Sequence, residues 1–478
     1  MIIMKFGGTS MENAAALSRL AEIVADRRPD RPVIVVSAMA GITDRLVELA
    51  SLALTGAEIY LAQALEALEK RHLEALRQIG GESEARQKIE GLCRSLRELL
   101  QGIAAVGELT PRTRDAVLSF GERLSPTLAV AALRAHGLAA HELDTRHFIV
   151  TDNQFNQAQP LYDEIQPQVQ QELLPAAGDG SSDNSPLAVM GGFIGATRQG
   201  VTTTLGRGGS DFSAAILGAA LNAERIEIWT DVNGMLTTDP RICPTALRIK
   251  HISFAEAAES AYYGAKVLHP ATLLPAMQKN IPVWILNSRA WLPGRPDGER
   301  TGTLVSSHAP RSNTLFKCIS CKRGIALVDV VSTRMLMAHG YMKAIFDAFA
   351  RQSCPVDMVA TSEVSVSLTV ADTANLPEIA DELSRFAEVR YQGKMAILCM
   401  VGENIRYRPG VAARVFDALK HINIRMISQG ASEINIGVVI ADEDVPAAIE
   451  SLHRAFFQDP DPAIFGIESS AQAVLGSN

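Results

Sequence analysis

Two short apolar segments near the start of the chain constrain its fold more than any other feature. Residues 1–6 are almost entirely apolar and stop at a Gly-Gly pair, and residues 32–37 form a β-branched run that ends at a small-residue turn. Between them, residues 13–27 carry apolar side chains at helical spacing. A strand, a helix and a strand at this spacing form a βαβ unit, which implies a parallel sheet covered by helices. Further strands are predicted over residues 187–190 and 225–229.

The composition suits such a sheet and excludes several classes of protein. The chain has 478 residues, of which 47% are hydrophobic and 5% aromatic, so two or more domains with aliphatic cores are expected. The formal net charge is −8 without a long basic run, which argues against nucleic acid or an anionic membrane as partner. No signal peptide and no apolar run of about 20 residues are present, so a cytoplasmic location is expected.

The six cysteines are scattered and do not predict a disulfide framework. Cys318 and Cys321 form a C-x-x-C, but the second ligand pair of a zinc site is missing, so they are interpreted as free thiols in a strand. His269 stands alone and is interpreted as a packing residue. No metal site built from protein side chains is predicted.

Residues 57–106 differ from their surroundings. They are rich in Ala, Leu, Glu, Arg and Gln and lack β-branched runs, which predicts a helical hairpin broken near Gly80-Gly81. A polar linker over residues 306–313 then separates the first part of the chain from the last.

An internal repeat follows the linker. The triplet F-D-A at residues 346–348 recurs at 416–418, and S-E-V at 362–364 recurs as S-E-I at 432–434, in both cases 70 residues later. In each copy a helical segment precedes a turn and an alternating strand. A fixed offset with conserved order indicates duplication of a small α+β module.

A glycine pair ends the first strand, within K-F-G-G-T-S at residues 5–10. Two glycines let backbone N–H groups approach an anion, and Lys5 adds a positive charge. A helix that begins near Ser10 would add its positive N-terminal end. The alternative is an ordinary turn with a solvated lysine, but an unpaired cation in a buried strand is costly, which favours the anion site.

A second glycine-rich segment, TTTLGRGGSD at residues 202–211, precedes an apolar helix. Arg207 can hold a carboxylate or a phosphate through two hydrogen bonds. Asp211 either caps the helix or contacts a cationic group or a metal. The density of glycine favours phosphate or substrate binding.

A third segment, residues 229–241, follows the strand predicted at 225–229. Ligands of open α/β sheets lie beyond the carboxyl ends of strands, which makes Thr230 and Asp231 candidate contacts, although the segment also contains turn formers. The sequence contains no P-loop, dinucleotide-binding or protein-kinase motif.

Together and in this order, the motifs resemble those of the aspartokinases of the amino acid kinase superfamily. The resemblance runs from residue 2 to about residue 457, in KFGGTS (5–10), SAMAGIT (37–43), SFGERLS (119–125), TTTLGRGGSD (202–211), WTDVNGMLTTDPR (229–241) and YGAKVLHPATLLPA (263–276). It implies an α/β kinase domain over residues 1–305, with a mainly parallel sheet between helices. It also implies the reaction of ATP and L-aspartate to ADP and 4-phospho-L-aspartate with Mg²⁺, the first step toward lysine, threonine and methionine.

The resemblance implies roles for individual residues. Lys5 and Asp211 are the implied catalytic residues. Implied substrate contacts are Ser37, Thr43, Glu122, Arg207, Gly208, Ser210 and Asp211, with Glu122 on the ammonium and Arg207 on the α-carboxylate. Implied ATP contacts are Lys5, Gly7, Gly8, Thr230, Asp231, Leu236, Arg241, Lys266 and Val267, where Leu236 replaces a tyrosine of many relatives.

The C-terminal repeat resembles a pair of ACT modules, small ferredoxin-like domains that bind amino acids, with one module inserted in the other. The implied modules are residues 324–391, and residues 314–323 with 392–465. Implied effector contacts are Met335, Ala338, Gly340, Tyr341, Val356, Asp357, Thr361, Ser362 and Glu363. Asp357 and Glu363 are expected to pair with an amino group, which favours lysine as effector. A homodimer or homotetramer through these modules is expected.

Two alternatives remain open at the level of sequence. One is a kinase for another small amino acid, such as glutamate. The other is a catalytically silent amino-acid sensor that uses only the ACT pair. The presence of Lys5, Glu122, Arg207 and Asp211 argues against the silent sensor.

Overall fold

The computed structural model describes residues 1–177, 185–264, 270–294, 301–310, 312–332 and 339–466. The chain forms two compact units, the first from Met1–Met235 and Val267–Ala309 and the second from Leu236–Lys266 and Pro310–Val474. The segment after Met235, expected within the kinase domain, thus packs in the second unit. Among the described residues, no helix has the length and apolar content needed to span a bilayer.

The strands, in chain order, are β1 (Ile2–Phe6), β2 (Pro32–Val36), β3 (Ala140–Leu143), β4 (Val150–Thr151), β5 (Leu187–Gly191), β6 (Ile194–Thr197), β7 (Thr202–Thr204), β8 (Arg225–Thr230), β9 (Arg248–Ile249), β10 (His251–Ser253), β11 (Val283–Asn287), β12 (Gly302–Ser306), β13 (Cys318–Val331), β14 (Val356–Thr361), β15 (Ser365–Val370), β16 (Glu388–Val401), β17 (Met426–Gln429), β18 (Asn435–Ala441) and β19 (Phe465–Gly466).

The α-helices are α1 (Ala14–Asp26), α2 (Ile42–Leu54), α3 (Glu58–Gln78), α4 (Ser83–Val106), α5 (Pro111–Leu118), α6 (Phe120–Ala135), α7 (Thr145–Phe148), α8 (Tyr162–Gln168), α9 (Leu174–Ala176), α10 (Gly209–Leu221), α11 (Phe254–Tyr262), α12 (Leu274–Gln278), α13 (Tyr341–Arg351), α14 (Leu376–Leu383), α15 (Val411–Ala418) and α16 (Val445–Phe456).

The first unit is built on a mainly parallel sheet. Its strands lie in the order β12-β11-β8-β1-β2-β5-β3. β1 runs parallel to both β2 and β8, and only the pairing of β12 with β11 is antiparallel among those described in this sheet. Every residue of β1 and β2 is buried, as in strands covered by helices on both faces. The predicted α/β sheet is confirmed, and the carboxyl ends of β1, β2, β5 and β8 lie at one edge.

Local sequence signals explain where several helices of this unit begin and end. The Asn13 side chain accepts a hydrogen bond from the N–H of Ala16 (2.9 Å) and caps α1. The turn at residues 79–82 separates α3 from α4, whose apolar faces belong to one core, so the predicted hairpin is confirmed. One expectation was wrong: Gly8–Met11 form a short 3-10 helix, and α1 begins only at Ala14.

The second unit contains a six-stranded antiparallel sheet in the order β14-β15-β13-β16-β18-β17. β13 and β16 pair along their whole length. Residues 326–331 of β13 pair with β15, whereas residues 395–401 of β16 pair with β18. Residues 318–323 pair with 396–401, so the first half of β13 lies in the same part of the sheet as strands some 70 residues or more further along the chain. This pairing is the one expected if one α+β module is inserted in the other, as the resemblance implies.

Candidate active site

A cleft of about 700 Å³ opens where the carboxyl ends of the central strands meet. Its lining includes nine of the residues implied by the sequence, namely Lys5, Gly8, Ser37, Thr43, Glu122, Arg207, Gly208, Ser210 and Asp211. They come from parts of the chain that are far apart in sequence: the last turns of chain within or after β1, β2 and β7, and the beginnings of α2, α6 and α10. This is the edge at which open α/β sheets bind ligands.

Lys5 and Asp211 form an ion pair within this cleft. The distance from Lys5 Nζ to Asp211 Oδ1 is 2.7 Å, and the two side chains are only 10% and 14% exposed. Asp211 lies in the first turn of α10, but the helix is capped by Gly208 without a side-chain hydrogen bond. Of the two alternatives for Asp211, the structure shows the contact with a cationic group and not the helix cap.

Glu122 lies in the first turn of α6 and is 4% exposed. Its Oε1 accepts a hydrogen bond from the N–H of Ala38 (3.2 Å), while its buried Oε2 has no partner within the described part of the chain. Burial raises the pKa of this carboxyl to about 8, against the smaller opposing effects of the Ala38 hydrogen bond and the Lys5 charge. An unpartnered, buried carboxyl oxygen at the cleft is suited to receive an ammonium group.

The glycine-rich loop after β7 holds an arginine at the rim of the cleft. Gly206 and Gly208 both have left-handed backbone conformations, with φ of 77° and 73°, which other residues adopt only with strain. Between them, Arg207 is exposed, and its guanidinium has no ion-pair partner in the described ranges. It is therefore free to bind an anion.

The sequence motifs missed other residues of this cleft: Arg114, Asn156, Gln157 and Phe193. Arg114 is an exposed cation one residue before a buried carboxylate, Asp115. A single arginine in a polar segment carries no signal of its own, and only the packing of α5 brings it to the cleft.

The residues implied for ATP fall into three groups. Gly7 donates its N–H to the carbonyl of Trp229 (2.9 Å), which places the glycine pair beside Thr230 and Asp231 at the end of β8. Leu236 and Arg241 belong to the second unit. There Leu236 forms an isolated bridge with Arg248, and Arg241 pairs with Asp239 (2.5 Å). Lys266 and Val267 lie outside the described residues, as does His269.

The described residues among the implied effector contacts lie in the second unit. Gly340 precedes α13, and the ring of Tyr341 packs edge-on against Phe386. Met335 and Ala338 lie outside the described residues. Val356 and Asp357 begin β14, Thr361 ends it, and Ser362 and Glu363 form the turn that follows. Four residue steps of strand, roughly 13 Å, and part of a turn therefore separate Asp357 from Glu363 along the chain.

Asp357 is already paired in this structure. Its Oδ1 lies 2.6 Å from Lys322 Nζ and accepts a hydrogen bond from the hydroxyl of Tyr262 (2.9 Å). The Lys322 ammonium also lies 5.1 Å from the centre of the Tyr262 ring. A carboxylate and an aromatic face thus enclose an ammonium group of the chain itself.

Comparisons with known proteins agree with this architecture. The model of the amino acid kinase family matches residues 1–287, and an ACT domain model matches residues 398–456. The chain is 37% identical to lysine-sensitive aspartokinase 3 of Escherichia coli over 96% of the chain and 99% of that protein. It is 36% identical to the chloroplastic aspartokinase 2 of Arabidopsis thaliana over 96% of the chain and 85% of that protein.

Solved structures extend the similarity to the fold. The crystal structure of E. coli aspartokinase III in complex with aspartate and ADP matches with a TM-score of 0.82 at 36% identity, over 96% of this chain and 100% of that one. The complex of the same enzyme with lysine and aspartate matches with a TM-score of 0.77. On its sequence, fold and family models, the chain belongs to the aspartokinases of the amino acid kinase family.

Proposed function

We propose that this chain transfers the γ-phosphoryl group of ATP to the side-chain carboxylate of L-aspartate. The observation that carries the proposal is one cleft that combines a buried carboxyl, an unpaired arginine and a lysine beside a glycine pair. Glu122 would bind the substrate ammonium, Arg207 the α-carboxylate, and Ser37 and Thr43 the side chain. Lys5 and the backbone of Gly7-Gly8 would face the phosphates. The aspartate and ADP bound by the E. coli relative support this assignment.

The residue types fit the chemistry. A carboxylate oxygen of aspartate attacks the γ-phosphorus, the bond to the β,γ-bridging oxygen breaks, and ADP leaves with that electron pair. A carboxylate with a pKa near 4 is already ionised at neutral pH, so the step needs no general base. It needs positioning and cations that offset the repulsion between two anions. Lys5, held by Asp211, supplies one of these cations.

Mg²⁺ is proposed to accompany ATP. Within the described residues no group of three or more metal-ligating side chains is present. That fits a cation that keeps its waters and is bound through substrate phosphates and one or two carboxylates. Asp211, the carboxylate beside Lys5, is the residue we expect near it. When bound, the ion would neutralise charge on the phosphates.

The substrate is tested by measuring ADP release with a panel of amino acids, with and without Mg²⁺. We expect L-aspartate to give a kcat/KM at least about tenfold above that of L-glutamate. The cleft must bind the α-amino and α-carboxylate groups and also hold the side-chain carboxylate at the phosphate, and glutamate is one methylene longer. A preference for glutamate would support a kinase for another small acid. No ADP release with any acid, although the protein is folded, would support the silent sensor.

We further propose feedback control by an amino acid, with lysine favoured. The name of the lysine-sensitive E. coli relative and its complex with lysine support this. Asp357 lies near the start of β14 and Glu363 beyond its end, so a second copy of the chain would help to bring one carboxylate of each kind to a single ammonium. This separation supports the proposed homodimer or homotetramer through the ACT modules.

Replacement of Lys322 by methionine is expected to increase sensitivity to the effector on the order of tenfold. The Lys322 ammonium occupies the Asp357 carboxylate, and its removal leaves a buried charge that an effector ammonium would compensate. The measurement is the lysine concentration that halves aspartate kinase activity. Lys420→Met, which removes an exposed lysine paired with Asp417, is the matched control. Unchanged or weaker inhibition in Lys322→Met would show that Asp357 does not bind the effector ammonium.

We propose a kinase domain over residues 1–305 and two ACT modules, one over 324–391 and one formed by 314–323 with 392–465. We also propose a cytoplasmic location. All six cysteines are free thiols, which suits a reducing compartment.

A further inference from the structure

Asp115 is a buried carboxylate beside the cleft that the proposed reaction does not use. It lies on α5, is fully buried, and does not itself line the cleft. Its neighbour Arg114 does, as do Asn156 and Thr204, which contact the Asp115 side chain. Asp115 therefore lies directly beneath the residues that line the Arg207 side of the cleft.

The Asp115 carboxylate accepts three hydrogen bonds, all from residues that line the cleft. Oδ2 accepts the backbone N–H of Asn156 and that of Thr204, both at 2.9 Å. Oδ1 accepts the hydroxyl of Thr204 at 2.8 Å. No ion pair of Asp115 is found in the described ranges, so these donors, together with the nearby charge of Arg114, favour its ionised form. Hydrogen bonds to an ionised acceptor are about twice as strong as neutral ones.

These bonds join the loop that contains Asn156 to the end of β7, where the loop that carries Arg207 begins. The N–H of Ala158 donates to the carbonyl of Thr204 (3.0 Å). A Cβ on Gly206 would lie 3.1 Å from the carbonyl oxygen of Asn156, so the loops are in close contact there. Thr204 is three residues before Arg207, whose guanidinium has no ion-pair partner among the described residues to fix it. The backbone of this loop must therefore set where the guanidinium lies.

We propose that Asp115 is a positioning residue for substrate binding. Its carboxylate links the Asn156 loop to the end of β7 at Thr204 and so places Arg207 for the α-carboxylate of the amino-acid substrate. The inference rests on the proposed function for the role of Arg207. Asp115 itself touches no substrate. The ATP side of the cleft is built on β1 and β8 and does not depend on these bonds.

The test compares KM for aspartate with KM for ATP in purified full-length variants. In Asp115→Ala we expect KM for aspartate to rise tenfold or more, while KM for ATP stays within about twofold, since loss of ground-state binding raises KM for the ligand concerned. Asp115→Asn is expected to stay within about threefold of the wild type. Its amide oxygen can accept both backbone N–H groups, and its NH₂ can donate to the Thr204 hydroxyl. In a double variant with Arg207→Ala, Asp115→Ala should add less than about twofold.

Two further variants keep the test decisive. Thr204→Val removes only the bond to Oδ1 and is expected to raise KM for aspartate about threefold, which is informative if Asp115→Ala does not fold. Glu227→Ala removes another fully buried carboxylate of the same unit, one bonded to Arg225 and Trp229. It should lower the melting temperature without a selective change in KM.

The proposal is overturned if Asp115→Ala or Thr204→Val lowers stability but changes the two KM values equally or not at all. It is also overturned if Asp115→Ala and Arg207→Ala act additively. Turnover by the wild type tests the proposed function separately. If the preferred acid is not aspartate, the same ratios are measured with that acid, and if no acid is turned over, calorimetric binding of aspartate replaces KM.

Discussion

Replacement of Lys5 by methionine is expected to lower kcat about a thousandfold, which corresponds to about 4 kcal/mol of transition-state stabilisation. The reason is that Lys5 lies at the end of the central strand, next to the glycine pair, where the proposed reaction would place the phosphates and their developing negative charge. Methionine keeps most of the side-chain volume but removes the cation. Steady-state ADP release at saturating ATP and aspartate measures the effect.

A loss of activity could also follow from unfolding, because Asp211 loses its partner. Lys317→Met is the matched control: Lys317 and Glu256 form an ion pair of 2.8 Å in the second unit, with side chains 5% and 2% exposed. Both variants should lower the melting temperature, but only Lys5→Met should lose kcat. If Lys5→Met retains wild-type turnover, Lys5 does not act on the phosphates.

Replacement of Glu122 by glutamine is expected to raise KM for aspartate on the order of 100-fold and, at alkaline pH, to stabilise the fold. The first effect follows from loss of a charge-assisted hydrogen bond to the substrate ammonium in a buried site. The second follows because glutamine removes a carboxyl whose ionisation is opposed by burial. Glu122→Gln is thus expected to weaken aspartate binding while it increases the stability of the fold at alkaline pH.

The sign of the stability effect follows from the pKa. Burial raises the pKa of Glu122 from 4.5 to about 8 in the folded chain. Between these values the folded state holds a proton that the unfolded state has lost. Wild-type stability therefore falls as pH rises through this window, by a few kcal/mol at most, since each pKa unit is worth about 1.4 kcal/mol. The gap between Glu122→Gln and the wild type should widen with pH and level off above about pH 8.

The same titration predicts the pH dependence of substrate binding. KM of the wild type for aspartate should fall as pH rises from 6 to 8, because the ionised carboxylate binds the ammonium, and this slope should vanish in Glu122→Gln. Thermal unfolding without ligands and initial rates over this pH range measure both effects. Equal pH slopes in the two proteins would show that Glu122 does not contact the substrate ammonium.

The sequence by itself determined the strands and the motifs, because these depend on local patterns. The apolar runs of β1 and β2 predict buried parallel strands, and the structure confirms them. The repeat at 70 residues predicts two α+β modules, and both are present. The order of the motifs was enough to indicate the family, which the comparisons confirm. The roles of the single site residues remain proposals.

Only the tertiary structure decided how these residues act on one another. The Lys5–Asp211 ion pair and the hydrogen bonds from Thr204 to Asp115 connect residues that are distant in the chain. The burial that raises the pKa of Glu122 likewise depends on packing between distant segments. No local pattern encodes such contacts, because they arise when the order of strands in the sheet brings loop ends to one edge. The same holds for Asp357: its sequence suggests a free carboxylate for an effector, whereas packing places the ammonium of Lys322 there.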